Sequence, residues 1–116
     1  MTKQETFDRV VAHLRAQGRR SQWVQDGYTV CRYRTPEGLQ CAAGCLIPDE
    51  RYSEDLEGNG VETLMEFFTE LGHDVKLVAH LQEVHDFNPP EKWETALFRV
   101  ADQFHLQYTP REEAVS

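Results

Sequence analysis

The chain of 116 residues has no long apolar run and only three cysteines. A membrane-spanning helix needs roughly 20 consecutive apolar residues, and no stretch of this sequence approaches that length. The first ten residues, MTKQETFDRV, lack the apolar core of a secretion signal. An odd number of cysteines does not suggest a disulfide framework. These absences predict a cytoplasmic protein with reduced thiols and no membrane partner.

Positive charge is scarce in most of the chain. Residues 1–40 hold 7 Lys and Arg against 4 Asp and Glu, whereas residues 41–116 hold 5 against 16, and the net charge is −8. An acidic surface repels phosphate backbones, so the composition disfavours direct nucleic-acid binding. It favours a protein partner that has a basic surface.

The sequence contains no complete catalytic, cofactor-binding or metal-binding motif, and we predict no cofactor. The acidic segment 49–57 lacks the alternating Asp or Asn positions and the closing glutamate of a calcium loop. The length is that of one domain. We predict a globular domain over residues 1–108 and a flexible tail over 109–116, because the tail is polar and has no hydrophobic period.

Hydrophobic periodicity predicts four principal helices. The first covers residues 3–17, because Thr2 and Glu5 have the spacing of a capping box and Gly18 can end the helix. The second covers residues 61–71. The third follows a cap at Asp74 and ends before the Asn88-Pro89-Pro90 sequence, and the fourth runs on to Phe104.

A hairpin and a short helix complete the predicted fold. The run YTVCRY, residues 28–33, is rich in β-branched and aromatic residues and predicts a strand. A turn at residues 35–38 would return Leu39 and Gln40 as its antiparallel partner. The run CAAGCLI, residues 41–47, predicts a short cysteine-bearing helix that ends at Pro48. The predicted class is a single, mainly α (α+β) domain.

The tract from Tyr33 to Asp49 reads Y-R-x-P-x-G-L-x-C-A-x-G-x-L-I-P-D. It is followed by Tyr52 and later by a Leu-x-x-x-His-Asp sequence, residues 81–86. With its flanking helices, this pattern resembles small uncharacterised proteins of bacteria and their phages. The resemblance covers most of the chain. It implies a shared fold and a phage or prophage accessory setting, and it implies no mechanism.

The leading functional hypothesis is a compact acidic module that acts by protein–protein interaction. It would inhibit a basic host protein or mimic nucleic acid on its surface, and its charges would steer the encounter. One candidate surface is the loop 49–57 and the other is a stripe at helical spacing i, i+4, i+8. The residues nominated are Asp49, Glu50, Glu54, Asp55, Glu57, Glu62, Glu66 and Glu70.

The first alternative is a thiol-dependent enzyme. Cys41 would stand at the N-terminus of the short helix, where the helix dipole stabilises a thiolate, and His85 would act as its base. We do not expect Asp86 to orient His85, because the two residues are adjacent on one helix.

The second alternative is a small zinc-stabilised domain that uses Cys31, Cys41 and Cys45 with a histidine. Structural zinc takes four nitrogen or sulfur ligands, commonly from pairs two to four residues apart. Only Cys41 and Cys45 approach that spacing. The candidate histidines are His80, His85 and His105.

Overall fold

A capping box at the start of the chain opens the first helix. In the computed structural model, which describes residues 1–111, α1 spans Lys3–Gln17, as predicted. Thr2 Oγ1 accepts a hydrogen bond from Glu5 N at 3.0 Å, and Glu5 Oε1 accepts one from Thr2 N at 2.9 Å. Gly18 ends the helix with a φ of 67°, a left-handed conformation that suits glycine.

Three further helices follow, at Met65–Glu70 (α2), Val75–Phe87 (α3) and Trp93–Phe104 (α4). The predicted cap of α3 is confirmed, since Asp74 Oδ1 accepts a hydrogen bond from Leu77 N at 2.9 Å. The helix α2 is shorter than the predicted 61–71, because residues 61–64 form turns. No side chain caps its first amides, and the glycine-rich segment before it does not favour helix.

The hairpin pairs β1 (Gln22–Gln25) with β2 (Tyr28–Cys31). Asp26 and Gly27 form the turn, with φ of 51° and 81°. The predicted return of Leu39 and Gln40 is confirmed only in part: the turn forms, since Gly38 N donates to Thr35 O at 3.0 Å, and Gln40 makes one antiparallel bridge with Arg34, but β2 itself pairs with β1. A two-residue Asp-Gly turn matches the twist of antiparallel strands. The strand β2 therefore pairs with β1, which directly precedes it, rather than with Leu39 and Gln40.

The cysteine-bearing segment forms a single 3₁₀ turn at Gly44–Leu46 instead of the two predicted helical turns. Cys45 N still donates to Cys41 O at 3.1 Å. Gly44 packs directly on the carbonyl group of Tyr33, and a Cβ atom at position 44 would overlap that oxygen. The acidic segment that follows contains two more 3₁₀ turns, at Asp49–Arg51 and Glu54–Leu56.

The core lies where α1, α3, α4 and the cysteine-bearing segment meet, with the hairpin at one side. The mainly α class with one hairpin is therefore confirmed.

Within residues 1–111, no helix has the length and apolar character that a bilayer crossing requires. The predicted flexible tail falls mostly on residues 112–116, which lie outside the described residues. The largest fully buried side chains include Phe7, Leu14, Phe68, Leu77, Leu81, Leu97 and His85.

Candidate functional site

The C-terminal half of α3 holds His85 fully buried in one fixed tautomer. Its Nε2 accepts a hydrogen bond from the backbone N–H of Ser21 at 2.9 Å. An amide N–H can only donate, so the ring proton lies on Nδ1, which donates to Asp86 Oδ1 at 2.7 Å. The ring also stacks on Trp93, with centroids 5.8 Å apart. The expectation that Asp86 could not orient its neighbour is wrong, because the short carboxylate folds back against the imidazole.

Asp86 uses one carboxylate oxygen internally and leaves the other open. Oδ1 accepts from His85 and from Gln82 Nε2 at 3.0 Å, whereas Oδ2 accepts from no N–H group within residues 1–111, and the thiol of Cys31 is the remaining polar neighbour of the carboxylate. The side chain is 28% exposed and forms no salt bridge with a Lys or Arg of the described chain; its contact with His85, whose Nε2 carries no proton, is a hydrogen bond. Burial favours a higher pKa for Asp86, but the hydrogen bonds from His85 and Gln82, with a smaller contribution from the Cys31 thiol, outweigh it and hold the pKa below its usual value.

Cys31 lies beside this pair. Its Sγ and the ligand atoms of His85 and Asp86 lie within 4.8 Å of one another, and this is the only such group of three within residues 1–111. The structure therefore does not gather Cys31, Cys41 and Cys45 into one ligand set. A metal on His85 Nδ1 would require the proton to move to Nε2, which faces the N–H of Ser21. The donor set does not fit a metal ion.

The structure places Cys41 and Cys45 in surroundings that suppress thiolate formation. Cys41 is 1% exposed, and burial raises its pKa strongly. Burial also raises the pKa of Cys45 to about 12. Cys41 Sγ accepts a hydrogen bond from Gly44 N at 3.3 Å. Because both ring nitrogens of His85 are bonded elsewhere, the described chain contains no Cys41–His85 hydrogen bond.

Three adjoining cavities form a groove along α3. The first, of about 260 Å³, is lined by Cys31, Cys41 and Asp86 together with Arg32, Tyr33, Gln82 and residues 58–61. The second, of about 290 Å³, shares Gly60, Val61, Gln82 and Asp86 with the first. The third, of about 250 Å³, shares Glu62, Ala79 and Glu83 with the second. We call this continuous surface between residues 58–65 and α3 the α3 groove.

The α3 groove combines carboxylates with exposed apolar side chains. Glu62, Glu83 and Asp86 line it, and none of them forms a salt bridge with a Lys or Arg of residues 1–111. Met65 is 53% exposed and Phe87 is 78% exposed at the same surface. One lysine, Lys76, lines the far cavity.

The sequence-nominated acidic residues fall into two groups. Some are paired internally: Asp49 with Arg34 at 2.8 Å, Glu54 with Arg32 at 2.7 Å, and Glu70 with Arg51 at 3.3 Å.

The carboxylate of Glu57 also binds groups of the same chain, because it accepts hydrogen bonds from Tyr33 N, Arg34 N and Tyr52 Oη. The second group has no salt bridge within residues 1–111 and comprises Glu50, Asp55, Glu62 and Glu66.

Two groove carboxylates, Glu83 and Asp86, were not nominated from the sequence as interaction residues. Their i, i+3 spacing places both on one face of α3, which was a usable signal. Comparison of the chain with protein-family models, with curated proteins and with solved structures finds no significant match. The functional conclusion therefore depends on the geometry of the groove.

Proposed function

We propose that the protein acts by binding another protein, and that the α3 groove receives a segment of that partner with basic and apolar side chains. The observation that carries this proposal is that Glu62, Glu83 and Asp86 form no salt bridge with a Lys or Arg of residues 1–111, at a surface that also exposes Met65 and Phe87. Large apolar side chains left exposed at one surface are a feature of interaction sites. Carboxylates around it complement basic side chains and accelerate the encounter.

The groove is better suited to this role than the loop 49–57. A basic partner at the loop would compete with Arg34 for Asp49 and with Arg32 for Glu54. In the groove, the partner meets carboxylates that form no salt bridge with a Lys or Arg of residues 1–111. Glu50, Asp55 and Glu66 add negative charge elsewhere on the surface and contribute to long-range steering.

The proposed setting is a phage or prophage accessory protein in the cytoplasm. The resemblance of the Tyr33–Asp49 tract supports the accessory role, and the three free thiols suit a reducing compartment. The proposed partner is a basic host protein, which this chain would inhibit by covering its basic surface or by acting as a nucleic-acid mimic.

Charge-matched variants test the proposal. Glu62→Gln with Glu83→Gln removes two charges from the groove, and Glu50→Gln with Asp55→Asn removes two charges from the loop. Each variant and the native chain would be used to capture proteins from a bacterial host lysate. We expect one basic protein to bind the native chain and the loop variant, and to bind the groove variant about tenfold less. Raised salt should weaken the capture.

If both double variants lose capture of the partner equally, the groove is not the binding site, because equal loss would indicate general charge attraction. An acidic captured protein, salt-insensitive capture, or no captured protein contradicts the proposed function itself. Met65→Ser, which removes an exposed apolar contact without changing charge, should also weaken capture. Unchanged capture with Met65→Ser would show that apolar contact at this surface is not used.

A further inference from the structure

The open carboxylate oxygen of Asp86 suggests a more specific role for the first cavity of the α3 groove. We infer that Asp86 Oδ2 receives the ammonium or guanidinium group of one Lys or Arg side chain, which inserts into the cavity of about 260 Å³. The source of that side chain, a basic segment of a protein partner, rests on the proposed function. The chemistry of the cavity does not depend on it.

The carboxylate of Asp86 is held in place before any ligand arrives. Two donors, His85 Nδ1 at 2.7 Å and Gln82 Nε2 at 3.0 Å, bind the same oxygen, Oδ1. His85 is in turn fixed by Ser21 N and by its stack on Trp93. A group that is already ordered loses little conformational freedom on binding, so more of the interaction energy appears as affinity.

Glu57 shows how a carboxylate with a structural role differs from Asp86. One oxygen of Glu57 accepts from Tyr33 N at 2.9 Å, and the other accepts from Arg34 N at 3.1 Å and from Tyr52 Oη at 2.6 Å. Both oxygens are therefore occupied. Asp86 is also partly buried and lines the cavity, but both of its N–H donors bind Oδ1, so Oδ2 still has acceptor capacity.

The charge of the site calls for a cationic donor. Asp86 forms no salt bridge with a Lys or Arg of the described chain. Charge-assisted hydrogen bonds are roughly twice as strong as neutral ones. Arg32 also lines the cavity, but its guanidinium pairs with Glu54 at 2.7 Å and donates to Arg34 O at 2.9 Å. Its positive charge is therefore compensated within the protein.

The size and lining of the cavity suit one long side chain. Drug-sized ligands occupy pockets of roughly 300–1,000 Å³, and this cavity is smaller. Val61, Cys41 and the ring of Tyr33 offer apolar contact to a methylene chain, while Oδ2 accepts its charged end. Gly58 and Gly60, which also line the cavity and are exposed, carry no side chains that would block entry.

The test uses three probes and two-dimensional amide NMR spectra of the full chain. The probes are N-acetyl-arginine methylamide, its lysine counterpart, and the citrulline counterpart, which has nearly the shape of arginine and no charge. We expect saturable shifts at Cys31, Gly58, Gly60 and Gln82 with the charged probes. The citrulline probe should bind about tenfold more weakly, because it lacks the charge-assisted bond.

Two variants locate the binding group. Asp86→Asn removes the charge with little change in shape, and we expect about a tenfold loss of affinity for the arginine probe. Glu50→Gln removes a carboxylate of the acidic loop, outside the groove, and we expect less than about a twofold change. The spectrum of Asp86→Asn reports whether the variant is folded, and the arginine–citrulline comparison on the native chain needs no variant.

Two outcomes would overturn the inference. One is equal binding of the arginine and citrulline probes; the other is an absence of saturable shifts at the cavity up to about 10 mM probe.

The lysate experiment separates this inference from the proposed function. Partner capture that survives Asp86→Asn would remove Asp86 from recognition while leaving the groove as the binding surface. If the arginine probe binds at Asp86 but no protein is captured from the lysate, the hypothesis of a protein partner is contradicted and the hypothesis of a cation-binding cavity stands. A free small amine would then be the natural ligand class.

Discussion

His85 accepts a hydrogen bond through Nε2 from the backbone N–H of Ser21, 64 residues earlier in the chain, at 2.9 Å. Ser21 lies immediately before β1, and its Oγ donates to Arg32 O just after β2. One histidine thus attaches the base of the hairpin to α3. The same ring holds Asp86 in the conformation that leaves Oδ2 open.

Replacing His85 should destabilise the fold strongly. His85→Ala removes a fully buried ring and leaves the Ser21 N–H without its acceptor, so we expect a loss of roughly 3 kcal/mol in the free energy of unfolding. The measurement is urea unfolding followed by circular dichroism. His80→Ala, at a partly exposed position on the same helix, is the control and should cost less than about 1 kcal/mol. Equal losses would contradict the role given to His85.

Glu57 should behave as a structural residue rather than as part of a docking surface. Glu57→Ala leaves the backbone N–H groups of Tyr33 and Arg34 without their carboxylate, and we expect a loss of about 2–4 kcal/mol. Asp55→Ala, in the same loop, is exposed and should change stability by less than about 0.5 kcal/mol. Thermal unfolding of both variants checks this, and a stable Glu57→Ala protein would count against the assignment.

The three thiols should differ in reactivity in the order of their exposure. In the native protein at neutral pH, iodoacetamide should label Cys31 first, and more slowly than a free cysteine peptide, because burial and the carboxylate of Asp86 raise its pKa. Cys41 and Cys45 should react only after unfolding. Mass spectrometry of timed samples gives the order. Fast labelling of native Cys41 would instead support the thiol-enzyme hypothesis.

Acidification should lower stability in two steps. His73 is buried against Thr6, and burial lowers its pKa from the ordinary 6.5. Its neutral form therefore favours the folded state, and that contribution is lost as pH falls from 6.5 through the lower folded-state pKa.

The second loss of stability on acidification comes from the protonation of carboxylates. The pKa values of Glu94 and Asp86 are lowered from 4.5 and 3.8, so their contributions are present above those values and are lost on further acidification. Urea midpoints measured from neutral pH down to about 3 should show both steps. His73→Asn should remove the first step only; a pH profile identical to that of the native chain would contradict this assignment.

Local signals in the sequence were sufficient for most of the helical frame. The capping box at Thr2 and Glu5, the glycine at position 18 and the cap at Asp74 all act within one helical turn, so each could be recognised without knowledge of the tertiary structure. The partner of the strand at residues 28–33 was predicted on the wrong side, although Asp26 and Gly27 before that strand have the local signature of a two-residue hairpin turn.

The candidate site could not be predicted in the same way, because its parts are distant in sequence. The bond between Ser21 and His85 requires the hairpin to dock on α3, and no local pattern encodes that docking. The arginines that neutralise the acidic loop lie in a different segment, after β2. Helical spacing predicts that Glu83 and Asp86 lie close together, but it does not predict that they line a groove.

The contact between Gly44 and the carbonyl group of Tyr33 limits how sequences of this fold can diverge. Any side chain at position 44 would overlap backbone that cannot move away without displacing the cysteine-bearing turn. Surface glutamates can be exchanged at little cost, but this glycine cannot. In distant relatives, we expect the glycine three residues after the equivalent of Cys41 to be conserved when most other positions have changed. It is therefore a better marker of common ancestry than the charged surface.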